Sequence, residues 1–242
     1  HKITVSTDSG FLPSDQRNLA YQAAKMLRDK YQINEGVAIS IDKNIPVAAG
    51  MGGGSSDAAA VLRGLNKLWQ LGLSRKELAK IGLEIDSDVP FCIYSEPAFV
   101  TGKGEIVIPI GPLPPLKLII AKPRDSVSTP SILRKIDYDK IKHQDVDAVV
   151  CAIKAQDYAT MVTKMGNTLE PITARRHPEI LKIKEKMLQF GCDAAQMSGS
   201  GPTVFGVCQK ASRAQHIYNS LRGFCKEVYI VSPYNLDQQT CF

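Results

Sequence analysis

The sequence predicts a two-domain α+β fold, and three features carry the prediction. The first half runs strand, glycine-rich loop and helix through "PVAAGMGGGSSDAAAVLRGLN", Pro46 to Asn66. A proline-rich connector, "GPLPPLK", then interrupts the chain. The second half ends in the order helix, strand, strand, helix, strand. Together with a strand at Leu118 to Ala121, that order fits a split βαβ, ferredoxin-like sandwich. The boundary falls at the connector, giving expected domains over residues 1–112 and 113–242.

Taken in order, Lys2 to Thr7 alternates as a strand does. Ser14 or Asp15 is placed to cap a helix whose Leu19, Ala23, Met26 and Leu27 recur at helical spacing. Val37, Ile39 and Ile41 share one face of a second strand, which Pro46 ends. After the glycines, a helix is expected from Ser56 to Leu71, with Ala60, Val61, Leu65 and Leu68 on its apolar stripe. Ser74 and Glu77 form a capping-box pattern for a short helix. "EIDSDVPF" reads as a bend leading into a strand, because Pro90 biases the residue before it away from helix. In "HPEILKIKEKMLQFG", Pro178 suits a first turn, Ile180, Ile183, Lys184 and Met187 supply the spacing, and Gly191 suits the end. Strands at Ala194–Ser198 and Thr203–Val207, a helix at Ala211–Leu221 and a strand at Glu227–Val231 complete the chain.

Composition narrows the function classes. Hydrophobic residues make up 44% of 242, enough for a core. The net charge of +6 is mild and without a lysine/arginine block, which disfavours nucleic acid as a partner. Cys92, Cys151, Cys192, Cys208, Cys225 and Cys241 form no CxxC pair, and the four histidines do not cluster beside them, so a zinc site is not expected. Most lie in apolar runs such as "DVPFCIY", as buried reduced thiols of a cytoplasmic protein do. No apolar run nears the ~20 residues of a membrane span. The chain opens at "HKITVSTDSG" as if in mid-strand, so an upstream segment is expected and His1 reads as extraneous.

The glycine loop carries the chemistry. Glycine accepts positive φ and leaves no side chain to block a ligand. A helix starting directly afterwards adds free N–H donors and a positive dipole end. Ser55 and Ser56 hydroxyls can cap the helix, bind phosphate oxygens or hold magnesium. The stretch therefore reads as a phosphate cradle over Ala49, Gly50, Met51, Gly52, Gly53, Gly54, Ser55 and Ser56. It lacks the lysine of a Walker loop, and Ser55 stands where a dinucleotide fingerprint needs a third glycine. A flexible hinge is the rival, but a hinge needs neither the hydroxyl pair nor the helix start. Asp57 reads as a first-turn dipole partner in preference to a metal-facing carboxylate. Asp86 and Asp88, taken alone, read as ordinary turn aspartates in preference to an aspartate pointed into a cleft from the bend. "MSGSGPTVFG", Met197 to Gly206, is either a hairpin turn or a second loop of close backbone approach. Two such loops in different halves suggest one cleft lined by both.

These residues resemble the GHMP kinase superfamily. "PVAAGMGGGSSDAAAVLRGLN" resembles its second signature, "SDVPFCIYSEPAFVTGKGEIV" its Asp-Val-Pro-Phe segment, "MSGSGPTVFGV" its third signature, and "SDQRNLAYQAAKML" the Asp-Asn-Leu helix before the loop. Gly-Gly-Gly-Ser-Ser-Asp is most like the branch that phosphorylates a cytidyl diphosphate of a sugar alcohol in the non-mevalonate route to isoprenoids. The resemblance implies a ribosomal-S5-domain-2-like first domain and a ferredoxin-like second. It implies ATP on Ala49 to Ser56 with Asn18 approaching the nucleotide, Mg2+ near Ser55, and Asp88 as the catalytic carboxylate. It implies substrate contacts at Thr129 and at Ser198, Gly199, Ser200 and Gly201. A monomer or weak homodimer is expected, with a small-molecule substrate and neither nucleic acid nor membrane as partner. Asp86 departs from the family's glycine. The family's first signature, a "PAKINL"-type strand with a lysine and then a Tyr-His pair for the cytosine, has no counterpart in the 242 residues, so these residues alone are expected to be impaired in activity.

Overall fold

The computed structural model describes residues 2–10, 12–137, 139 and 141–234. His1 and Cys241 lie outside the described residues. The chain forms two compact units, one of His1–Val47 with Gly52–Pro109, the other of Ala48–Met51 with Ile110–Phe242.

In the first unit, β1 (Ile3–Thr7), α1 (Leu19–Lys30), β2 (Val37–Ile41), α2 (Gly53–Leu68), α3 (Arg75–Leu83), α4 (Val89–Tyr94), β3 (Ala98–Thr101) and β4 (Ile106–Pro109) follow in order. β1 pairs with β2 in parallel, Ile3 opposite Val37 and Thr7 opposite Ile41. β3 and β4 form an antiparallel pair. The core closes where α1 lays Ala23, Ala24 and Leu27 against Ala58, Ala59 and Leu62 of α2. Small alanines on both faces let the two backbones approach closely, and Leu78, Ile81, Val89 and Ile93 seal the other side of α2.

Three sequence expectations fail in this unit. The cap of α1 is Asn18, not Ser14 or Asp15; Asn18 Oδ1 accepts from Ala20 N–H at 2.9 Å. Asp15 is engaged elsewhere, accepting from the Arg17 backbone N–H at 2.9 Å. α2 starts and ends three residues early, and its buried stripe is Ser55, Ala58, Ala59, Leu62 and Leu65. Ala60 is exposed, and so is Leu68 at 63%. A helix start rich in small residues gives periodicity little contrast, so the stripe was misphased. Third, the bend leads into α4, which Val89 begins, and not directly into a strand. Pro90 sits in the first turn, where a missing N–H costs nothing, and Val89 packs at 0% exposure against Gly82 and Leu62. The capping box of Ser74 and Glu77 is present in full.

The second unit contains β5 (Lys117–Lys122), α5 (Thr129–Leu133), α6 (Val146–Lys154), α7 (Tyr158–Lys164), α8 (Glu170–Ala174), α9 (Glu179–Gln189), β6 (Ala194–Met197), β7 (Val204–Cys208), α10 (Ala211–Leu221) and β8 (Glu227–Val231). Its sheet runs β6-β7-β5-β8, antiparallel throughout. α9 and α10 cover one face through Ile180, Met187, Ile217 and Leu221, which with Ile119, Met197 and Val204 form the core. Cys192, Cys208 and Cys225 are buried, Cys92 is half-buried and Cys151 is exposed. Burial pushes the Cys92 thiol up to about 11 and that of Cys192 up to about 12, so both stay protonated at neutral pH.

Candidate active site

The first unit gathers its chemistry at the start of α2. Gly52 takes the left-handed conformation, φ +61°, which turns the chain into the helix without a side-chain cap. The first bond of the helical ladder runs from Ser56 N–H to Gly52 O at 2.9 Å, so the amides of Gly53, Gly54 and Ser55 precede the ladder. These amides and the helix dipole give the start of α2 the positive end that favours an anion.

Two carboxylates face this region. Ser55, buried, donates its hydroxyl to Asp86 Oδ1 at 2.9 Å. The same oxygen accepts the Asp88 backbone N–H at 3.0 Å, which fixes the bend that presents Asp88. Asp88 makes no capping bond to α4. A Cβ placed on Gly52 would lie 3.9 Å from Asp88 Oδ2, so the carboxyl reaches the mouth of the cradle. Asp88 is exposed as a residue; partial desolvation of its carboxyl, and secondly the charge of Asp86, raise its pKa from the ordinary aspartate value.

A lysine that the sequence reasoning missed completes the group. Lys43, just beyond β2, has a side chain only 6% exposed and an Nζ 2.5 Å from Asp57 Oδ2. Its Nζ stands 3.2 Å from where a Gly53 Cβ would be. Asp57 is thus an ion-pair partner, not a first-turn dipole partner: α2 begins at Gly53 and has no acid in its first turn. Asn18, buried, spends its side chain on the α1 cap and on Pro13 O, to which its amide donates at 2.9 Å.

The second unit holds the remaining expected residues. Gly50 lies so close to the turn between β6 and β7 that an added Cβ would sit 2.5 Å from Ser198 O and 2.9 Å from Gly201 O. Ser198 donates its hydroxyl to Gly50 O at 2.8 Å. Ala49 is buried beside Gly50, and Met51 is partly exposed. The hydroxyls of Thr129 and Ser200 stand 2.6 Å apart, and Thr173 donates to Ser200 O at 3.1 Å. Asn167, also missed, clamps the turn by donating to Met197 O at 2.7 Å and Gly199 O at 2.8 Å. Nothing in "KMGNTLEP" marks it, since only folding brings it across 30 residues.

Two family models match the chain, "GHMP kinases N terminal domain" over residues 18–96 and "GHMP kinases C terminal" over residues 150–227. A relative from Ligilactobacillus salivarius named 4-diphosphocytidyl-2-C-methyl-D-erythritol kinase is 70% identical over 95% of this chain and 80% of its own length. The chain belongs to the GHMP kinase family. It is a kinase with an alcohol group as phosphate acceptor and ATP as donor. A second relative of the same name, from Lactiplantibacillus plantarum, is 59% identical over 98% of the chain and 83% of its own length. A crystal structure of 4-(cytidine 5'-diphospho)-2C-methyl-D-erythritol kinase superposes with a TM-score of 0.78 at 28% identity, over 96% of this chain and 82% of that one. A homoserine kinase from Cytophaga hutchinsonii superposes with 0.79 at 22% identity, a likeness of fold. The two-domain α+β GHMP kinase fold read from the sequence is the observed one. Among the described residues, no helix is long and apolar enough to cross a membrane, and no three His, Cys, Asp or Glu side chains converge on a metal position.

Proposed function

We infer that this GHMP kinase phosphorylates the 2-hydroxyl of 4-diphosphocytidyl-2-C-methyl-D-erythritol in the non-mevalonate route to isoprenoids. The observation that carries the reading is the 70% identity, over 95% of the chain, to a relative of that name. In the reaction the acceptor oxygen forms a bond to the γ-phosphorus, the bond from that phosphorus to the β–γ bridging oxygen breaks, and ADP leaves. The acceptor's proton passes to Asp88, whose affinity for protons is raised by partial desolvation and by the charge of Asp86. The amides of Gly53, Gly54 and Ser55 hold phosphate oxygens, and Ser56 and the residues Ala49 to Gly52 shape the approach. Asn18 supports the nucleotide side by holding the start of α1. In the second unit, Thr129 and the turn Ser198–Gly201 form the proposed substrate contacts.

Mg2+ would neutralise phosphate charge. Ser55 and Asp86 offer it oxygen donors of the type it takes, with phosphates expected to supply the rest. Asp88→Asn tests the mechanism. It should cut turnover by roughly 10²- to 10⁴-fold, the range of general-base catalysis, with ATP affinity retained. Unchanged turnover removes Asp88 from the reaction.

A further inference from the structure

We propose that Lys43 and Asp57 act as a couple that neutralises nucleotide phosphate: Asp57 holds the Lys43 ammonium at the start of α2, where it engages the phosphate chain. The proposal rests on the kinase reading above and adds to it a cation that the glycine loop does not itself contain.

Four observations support it. The first is burial, because a lysine side chain 6% exposed is rare unless paired. The second is polarity. Cations are favoured at helix C-termini and disfavoured at N-termini, yet Lys43 stands beside the first residue of α2. The ammonium and the helix end, worth about half an elementary charge, together outweigh Asp57, its direct partner; Asp86 and Asp88 lie on the Ser55 and Gly52 side, so the positive potential is local to Lys43 and Gly53. Third, an ammonium has three donors, and Asp57 Oδ2 takes one. No side chain stands between it and the helix start: a Cβ on Gly53 would lie 3.2 Å from Nζ, which puts the ammonium beside the first residue of α2. The fourth is preorganisation. The Lys43 backbone N–H donates to Asp8 Oδ1 at 3.0 Å, fixing the end of β2, and Asp57 fixes the far end of the side chain. Ordering a lysine therefore costs little on binding. A Walker loop places its lysine within the loop; here the strand before the loop delivers it through space.

The test is calorimetric titration of ATP, and competition by adenosine, on the parent protein, Lys43→Met and the double variant Lys43→Met/Asp57→Asn. The double variant leaves no unpaired buried carboxylate, and its thermal unfolding reports that it folds. Loss of one charge-assisted contact predicts about tenfold to hundredfold weaker ATP binding in both variants. Adenosine, which has no phosphate, should bind them as it binds the parent. Parental ATP affinity in the double variant overturns the couple and leaves the kinase reading standing, as does equal loss of ATP and adenosine, which marks a structural role. A parent protein that binds no ATP overturns both.

Discussion

Asp88 shows how one side chain acquires a role from its neighbours. Its carboxyl is free of the cap it would make in an ordinary helix start, lies at the mouth of the Gly52 turn and has its proton affinity raised by partial desolvation and by Asp86. A carboxyl with a raised pKa ionises later as pH climbs, so the acid limb of kcat/KM should lie above the ordinary aspartate value. Asp86→Asn removes the neighbouring charge but keeps an oxygen for Ser55 and the Asp88 amide. The acid limb should then move to lower pH in a pH–rate profile; an unmoved limb denies that Asp86 tunes the base. Single residues were unevenly legible. Asp88 and the glycines stand in contiguous motifs that can be read directly. Lys43 stands ten residues before Gly53, and only the direction of β2 carries it to the loop. Asp57 was misjudged for the same reason, because its partner was out of view.

The helix α2 is the element on which binding depends. Its start combines a left-handed glycine, three amides ahead of the ladder and a neighbouring ammonium. Gly53 has a helical φ and, unlike Gly52, tolerates a side chain on backbone grounds. Gly53→Val therefore alters the cradle and not the turn. The branched side chain would press on Lys43 Nζ, 3.2 Å from its Cβ, and on Ile45, and should abolish ATP binding with far-ultraviolet circular dichroism unchanged. Retained ATP affinity means the phosphates sit elsewhere. Elements with their own punctuation were legible: the Ser74–Glu77 box and the Pro178-to-Gly191 helix carry start and stop signals in the sequence. α4 was not, because the pull of Pro90 away from helix is local. The packing of Val89 on Gly82 that overrides it is tertiary.

At the scale of the molecule, the second unit was the more readable. Its strands alternate with amphipathic helices, and the order β6-β7-β5-β8 follows from the split βαβ pattern. In the first unit, β1 and β2 pair in parallel across an intervening helix, and no local signal states that register. Family membership supplies the reaction class, and relatives named for one cytidyl substrate supply the proposed acceptor. Phosphorus NMR of the purified product of the intact gene with ATP and either 4-diphosphocytidyl-2-C-methyl-D-erythritol or mevalonate is the most direct test. A new phosphomonoester resonance with the cytidyl compound, and none with mevalonate, is the predicted result. Transfer to mevalonate alone, or ATP binding without transfer to either acceptor, contradicts it.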